Sequence, residues 1–400
     1  MTGWDWIGYV HAVATLPPDF TLLQVTPELE TGGAEQTTID VAQAVIAAGG
    51  KALVASRGGR MTSRLIADGG RLAEMPVQSK NPLVMLGNAA RLIDLIRTEK
   101  VSLVHARSRA PAFSALWAAH ATGVPFIATY HGVYKANNGL KRWYNAVMTR
   151  GDLVIANSDY TREHVLAEHQ LDPAKIVTIP RGVDLTRFDP RKVSAARVEA
   201  LRKTWGLPKS GAKVVFVLGG RLTRIKGHQT IIDAAARMRA AGRDDFVIVF
   251  AGDDQGRTDF REELLASIAA AGLTDHVKIV GHCDDMPAAF RLCDVALLPT
   301  TKPESFGRAA VEPQVMERPV IVSDHGGAME TVVEGETGWK VAPGDVEAWA
   351  AAMTAAIEAG GPRRQAMGEA AASRARRLYS VGAMCDATLE VYARLLEARA

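Results

Sequence analysis

Val295-Ala296-Leu297-Leu298-Pro299 is followed after three residues by Pro303-Glu304-Ser305-Phe306-Gly307-Arg308-Ala309-Ala310-Val311-Glu312. The apolar run reads as a buried strand, and the second stretch opens a helical pattern. Glu304 then sits at a strand-to-helix turn, beside the unpaired N–H groups of a first helical turn. Glu312 comes eight residues later, about two turns on, so both carboxylates can face one side. N–H donors and acids at one helix start suit a ligand with phosphates at one end and hydroxyls at the other. Acids near a helix start are also favoured by the dipole alone, and spacing does not separate the two readings. Pro313, inside the same pattern, should bend the helix.

The same unit recurs along the chain. Leu22 to Val25, Ala52 to Ser56, Val101 to His105, Phe126 to Tyr130, Leu153 to Ala156 and Ile176 to Ile179 are short apolar runs with helical patterns between them. Pro180 to Pro190 is rich in turn residues and reads as a linker, with a helix from Arg191 to Trp205 beyond it. A second series starts at Val214 to Leu218 and continues through Phe246 to Ala251, Val277 to Val280, Val295 to Leu298 and Val320 to Val322. Repeated strand–helix alternation predicts parallel sheets covered on both faces. The expectation is an α/β chain of two doubly wound domains, residues 1–188 and 189–380, with a ligand cleft at the carboxyl ends of their strands. Val381 to Ala400 is a closing helix.

Composition sets limits. Four hundred residues exceed one ordinary core, which agrees with two domains. The chain is 48% hydrophobic and 23% charged, so it is globular. A net charge of +3 is too small to argue for nucleic acid, but it allows attraction to phosphates or an anionic membrane face. Cys283, Cys293 and Cys385 have no metal-site or disulfide-framework spacing, which fits a reducing compartment. Met1 to Phe20 lacks the layout of a signal peptide, and no apolar run is long enough to span a bilayer. A cytoplasmic protein is expected.

Several loops end strands where ligands bind in such sheets. In Gly219-Gly220-Arg221-Leu222-Thr223-Arg224-Ile225-Lys226-Gly227 the glycines allow close approach, while Arg221 and Lys226 suit phosphate oxygens. A solvated basic loop is the plain alternative. Gly32-Gly33 holds the matching position in the first half, as an anion site or a tight turn. Tyr130-His131-Gly132 offers His131 as a hydrogen-bonding group or a structural histidine. In Asp324 to Glu330 the pair Gly326-Gly327 could bring backbone to a ligand. Asp253-Asp254 and Asp284-Asp285 lack a third ligand and read as solvated loop acids, so no metal is assigned. Asp184 reads as a turn residue.

Taken together and in this order, the early glycine pair, the Gly220 to Gly227 loop and the Glu304/Glu312 element resemble the GT-B glycosyltransferases of family 4, from about Leu22 to Trp339. The resemblance implies the GT-B fold: two Rossmann-like domains facing a central cleft, acceptor-side first and donor-binding second, with the final helix crossing back onto the first. It implies a retaining, metal-independent hexosyltransferase that takes a nucleotide-sugar as substrate, a UDP-sugar before a GDP-sugar, and needs no cofactor. By motif position Arg221 and Lys226 would bind the diphosphate, with Gly33 approaching from the other side. Glu304 would contact the transferred sugar beside the Phe306 and Gly307 backbone. Glu312 would hold the ribose, the backbone at His282 and Cys283 the base, and His131 would lie near the reacting centre. Arg181, Arg308 and Pro313 depart from the usual pattern.

The expected acceptor is a glycan or lipid-linked molecule of cell-surface polysaccharide or lipopolysaccharide assembly. Lys135, Lys141, Arg142, Trp143, Tyr144 and Arg150, with a second cluster of Arg57, Arg60 and Arg64, suit peripheral contact with the inner membrane or an ordinary solvated face. No nucleic-acid partner is expected. The alternatives are another GT-B enzyme, such as a nucleotide-sugar epimerase or a phosphorylase, and a non-catalytic nucleotide-sugar binding module.

Overall fold

The computed structural model describes residues 15–30, 32–256 and 258–399. The reading of the N-terminal stretch therefore lies, for residues 1–14, outside the described residues, as does Thr31 beside the first glycine pair. Two compact units are present. The first runs to Gly182 and takes in the chain again from Val381; the second is Val183–Ser380. The crossing falls inside the turn-rich Pro180 to Pro190 segment, six residues before the division expected after residue 188. Asp184 is the turn residue expected, its Oδ1 accepting from the Thr186 and Arg187 backbone N–H groups at 2.7 and 3.2 Å.

The first unit is built from β1 (Thr21–Val25), α1 (Gly33–Ala47), β2 (Lys51–Ser56), α2 (Thr62–Ala67), β3 (Arg71–Glu74), α3 (Pro82–Thr98), β4 (Leu103–Ala106), α4 (Arg109–Thr122), β5 (Phe126–Tyr130), α5 (Gly139–Asn145), β6 (Leu153–Ala156), α6 (Asp159–His169) and β7 (Ile176–Thr178). The second has α7 (Ala195–Thr204), β8 (Val214–Gly219), α8 (His228–Ala240), β9 (Phe246–Ala251), α9 (Thr258–Ala270), β10 (Val277–Gly281), α10 (Met286–Leu292), β11 (Val295–Leu298), α11 (Arg308–Val315), β12 (Val320–Ser323), β13 (Gly338–Val341), α12 (Val346–Glu358) and α13 (Gly360–Leu378). The last helix, α14 (Val381–Glu397), belongs to the first unit.

The sheets have orders β3-β2-β1-β4-β5-β6-β7 and β10-β9-β8-β11-β12-β13, and neighbouring strands run parallel. Both start 3-2-1-4-5-6, the doubly wound order, so each reverses beside its first strand. Strand alternation sends Leu23, Leu53, Val104 and Phe126 to one face of the first sheet with α3 and α4, and Leu22, Val54, Leu103 and Ile127 to the other with α1 and α14. In the second sheet Phe216, Ile248, Val295 and Ile321 meet α8 and α12, while Val215, Val217, Val247 and Val249 meet the opposite layer. Two buried faces explain why these strands read as unbroken apolar runs.

Tyr392 fastens α14 to the first unit. Its ring is fully buried beside Phe20, and its hydroxyl meets His105 Nδ1 at 2.5 Å. Nε2 of the same histidine meets Thr129 Oγ1 at 2.7 Å. Burial and the neighbouring Arg107 charge hold the His105 pKa well below its ordinary value, so the ring is neutral inside the core.

The helix expected from Arg191 divides in two. Asp189 starts a short turn, Pro190–Lys192, and Ser194 then caps α7, accepting from Arg197 N–H at 3.3 Å. The edge strands β3 and β13 and the helix α13 are additions to the reading from sequence.

Candidate functional site

In the second unit Lys226, Glu304 and His325 lie on the segments that follow β8, β11 and β12. After β8 the chain turns at Gly220, buries Leu222 and makes a single turn, Arg224–Lys226. Gly227 then adopts φ +75° and leads into α8; a Cβ there would lie 1.8 Å from the Pro299 carbonyl oxygen. Only glycine permits that approach of loop to strand end. The Thr301 N–H donates to the Ile225 carbonyl at 2.9 Å, which locks the β8 loop to the segment following β11.

This lock brings Lys226 Nζ into an ion pair with Glu304 Oε1. The two side chains are only 16% and 23% exposed, so the pair is weakly screened by solvent. Glu304 lies in the loop after β11, ahead of the first turn of α11, whose N-cap is Gly307 at φ +87°. Glu312, one turn into α11, accepts from Arg308 Nη2 at 3.1 Å and Nε at 3.3 Å. Burial raises the Glu312 pKa, while the charges of Arg308, Arg187 and Lys226 pull it down. Lys226 thus pairs with one glutamate and acts electrostatically on the other.

Gly326 and Gly327 pack directly against the Glu304 loop. Cβ atoms there would fall 2.6 Å from the Glu304 carbonyl oxygen and 2.4 Å from that of Ser305, and Gly327 N–H donates to the Glu304 carbonyl at 2.8 Å. They hold the Glu304 backbone in place. Beside them His325 Nε2 meets Thr300 Oγ1 at 3.3 Å. Burial keeps the His325 pKa low, against the Thr300 backbone hydrogen bond and the Glu304 charge.

Other expected residues are more dispersed. Arg221 is exposed and donates to Gln255 Oε1 at 3.4 Å, a long contact that leaves its fork facing solvent. The Phe306 ring is buried edge-on to Tyr379 at 5.6 Å, which fixes the turn that leads into Gly307. His282 is exposed and pairs with Asp284 at 2.9 Å, and burial raises the Cys283 thiol pKa. Pro313 lies inside α11, as expected. Asp253 and Asp254 accept from nearby loop N–H groups, and Asp285 caps α10 and pairs with Arg197 at 2.6 Å. Among the described residues no group of three or more His, Cys, Asp or Glu could hold a metal.

In the first unit Gly33 opens α1, with Gly32 as N-cap. The Glu35 carboxylate lies over Gly32, close enough that a Cβ there would be 2.1 Å from its oxygen. His131 follows β5, and its carbonyl accepts from Arg181 Nη2 and Asn157 Nδ2, each at 3.3 Å. Burial and the charges of Arg181 and Arg107 hold the His131 pKa well below its ordinary value. Arg107 is itself buried, donating from Nε to Gln24 Oε1 at 2.8 Å.

Two cations beside Glu312 lay outside the expected roles. The (i, i+4) spacing of Arg308 and Glu312 is a readable pairing signal, but Arg308 reads first as a departure from pattern. Arg187 carries no sequence signal, because its nearness to Glu312 is made by the fold.

The family models that match are "Glycosyltransferase Family 4" over residues 31–187 and "Glycosyl transferases group 1" over 198–374. The crystal structure of a glycosyltransferase from Rickettsia africae is 32% identical, with a TM-score of 0.87 over 95% of this chain and 100% of that one. This chain belongs to the group 1, family 4 glycosyltransferases. With two Rossmann-like units of parallel sheet, its fold is GT-B. Among curated members of the family, D-inositol 3-phosphate glycosyltransferase of Salinispora tropica is 31% identical over 68% of this chain and 59% of its own length. 2-Deoxystreptamine glucosyltransferase of Streptomyces kanamyceticus is 31% identical over 57% of this chain and 60% of its own. The chain therefore spans about three-fifths of the length of these two family members.

Proposed function

We infer that the protein is a retaining, metal-independent hexosyltransferase that moves a sugar from a nucleotide-sugar, a UDP-sugar before a GDP-sugar, to a hydroxyl of a glycan or lipid-linked acceptor. The observation that carries this reading is Lys226, paired with Glu304 and acting on the partly buried Glu312. A cation paired with one carboxylate and acting on a second, near a helix start, suits a ligand that carries a diphosphate and hydroxyls.

Lys226, supplemented by Arg221 and the Phe306–Gly307 backbone, binds the diphosphate. Glu304 then exchanges its ammonium partner for hydroxyls of the transferred sugar, and Glu312 takes the ribose hydroxyls. The base rests on the backbone near His282 and Cys283. In the reaction the bond from the anomeric carbon to the diphosphate oxygen breaks as the acceptor oxygen bonds to the same face. The acceptor proton passes to the leaving phosphate oxygen, and Lys226 stabilises the charge that develops there. His131, neutral at the carboxyl end of its sheet, is the first unit's candidate for a hydrogen bond to substrate. Gly33, at the start of α1, is its candidate for contact with an anion.

The acceptor fits cell-surface polysaccharide or lipopolysaccharide assembly. A second reading is favoured by the names of the relatives: inositol phosphate and 2-deoxystreptamine are both cyclitols, so a small cyclic polyol is the competing acceptor class. Nucleotide release tests the reading. The protein is incubated with each nucleotide-sugar, alone and with inositol 3-phosphate, 2-deoxystreptamine or a lipid-linked glycan. Free nucleotide should appear only when an acceptor is present, and the acceptor that triggers it selects the class. An epimeric nucleotide-sugar without free nucleotide would make the protein an epimerase. Binding without turnover in every mixture would leave a binding module.

A further inference from the structure

Among the described residues eight large hydrophobic side chains are exposed, and five of them, Leu83, Leu86, Trp117, Leu140 and Trp143, lie on α3, α4 and α5 of the first unit. Leu140 and Trp143 are three apart on α5 and share a face. They are 76% and 53% exposed. Phe113 of α4 links the rings, its centroid 5.5 Å from that of Trp143 and 6.1 Å from that of Trp117. On the α3 side, Ser114 Oγ of α4 donates to the Met85 carbonyl at 2.8 Å, between Leu83 and Leu86 in sequence. The aromatic patch is thus held by a packed core rather than carried on a loose loop.

The stretch of chain that carries it has cations but no acids of its own. From Lys100 to Gly151 the sequence contains no Asp or Glu. Lys135, Lys141 and Arg150 of this stretch are exposed, and the Arg150 guanidinium lies 5.1 Å from the Trp143 ring centroid. Arg142 is the exception, its charge met by Glu168 at 3.0 Å. The other basic cluster read from sequence behaves differently. Arg57, Arg60 and Arg64 pair with Glu28, Glu30 and Asp40 at 2.5, 3.7 and 3.3 Å, so that surface is neutralised.

We propose that the α4–α5 face of the first unit, with Trp117, Leu140 and Trp143 ringed by Lys135, Lys141 and Arg150, docks on an anionic phospholipid bilayer. Exposed tryptophan and leucine suit the boundary between headgroups and acyl chains, and the uncompensated cations suit the negative surface potential above it. Nucleic acid fits less well, because a protruding leucine offers nothing to a phosphate backbone or a base. No helix of the described residues is long and apolar enough to cross a membrane, so the contact is peripheral.

Vesicle co-sedimentation tests this without donor or acceptor, and so independently of the transfer reaction. The full chain is spun with phosphatidylcholine vesicles and with vesicles containing roughly one-third phosphatidylglycerol. It should sediment with the anionic vesicles at low salt, be released by high salt and ignore the neutral ones. Leu140→Glu with Trp143→Glu, and separately Lys135→Glu with Lys141→Glu, should each lower partitioning about tenfold with an unchanged melting temperature. Failure to sediment with anionic vesicles, or equal sedimentation of the variants, would overturn the proposal. So would a concentration-dependent dimer that the Leu140→Glu/Trp143→Glu change abolishes, or equally strong retention on duplex DNA.

Discussion

Lys226→Ala should lower kcat by about 10²–10³-fold, the effect of removing one preorganised group that stabilises charge on a leaving oxygen. The lysine does two things at once. In the proposed reaction it supplies the positive charge that follows the diphosphate as its bond to the sugar breaks, and in the structure it is the direct counter-ion of Glu304. Without it Glu304 loses its ion-pair partner, and Glu312 loses one of the three cations that favour its charged form. Lys226→Arg keeps the charge but spreads it over a planar fork, and should restore part of the rate. Steady-state nucleotide release with a working acceptor measures both variants. A kcat for Lys226→Ala close to that of the parent would remove the residue from the mechanism.

Gly227→Ala should destabilise the second unit by about 3 kcal/mol or more, the range in which steric conflict adds to a left-handed backbone. At φ +75° any side chain is strained, and the new Cβ would be 1.8 Å from the Pro299 carbonyl oxygen. Relief requires the β8 loop to leave the end of β11, breaking the Thr301–Ile225 backbone bond and withdrawing Lys226 from Glu304. Gly242→Ala is the natural control. Its φ is +84°, but nothing lies within 4 Å of a Cβ there, so it should cost only about 1 kcal/mol. Urea unfolding of the two variants separates backbone strain from collision. Equal midpoints would mean that the Gly227 contact is unimportant.

Much of the fold could be read because the central strands are apolar on both faces. Phe246–Ala251 and Val295–Leu298 have the bounds expected, since a continuous apolar run between turn residues has little freedom to be anything else. The edge strands escaped for the same reason. Arg71–Glu74 and Gly338–Val341 are only partly buried and carry charges, so no apolar run marks them. Helix α13 begins Gly-Gly-Pro, which reads as a turn until the rest of the helix is seen.

The candidate site was legible as separate motifs at the ends of strands. Lys226 does pair with Glu304, and its charge acts on Glu312. Side-chain direction was not legible, and Arg221 turns toward Gln255 and solvent. Nor were contacts between distant segments. Gly326 and Gly327 read as a turn that could meet a ligand, and nothing in their sequence shows that the β11 loop packs against them. Arg57, Arg60 and Arg64 look like a basic patch because their acids come from other segments.

Calorimetric titration of the full chain with UDP-, GDP- and ADP-sugars is the most direct test of whether the Lys226–Glu304–Glu312 cluster grips an activated sugar. At least one of them should bind, a UDP-sugar ahead of the rest, and both Lys226→Ala and Glu304→Ala should weaken that binding about tenfold or more, the loss of one charge-assisted contact. If no nucleotide-sugar binds, or if one binds equally well to the parent and both variants, the cluster is not the donor site.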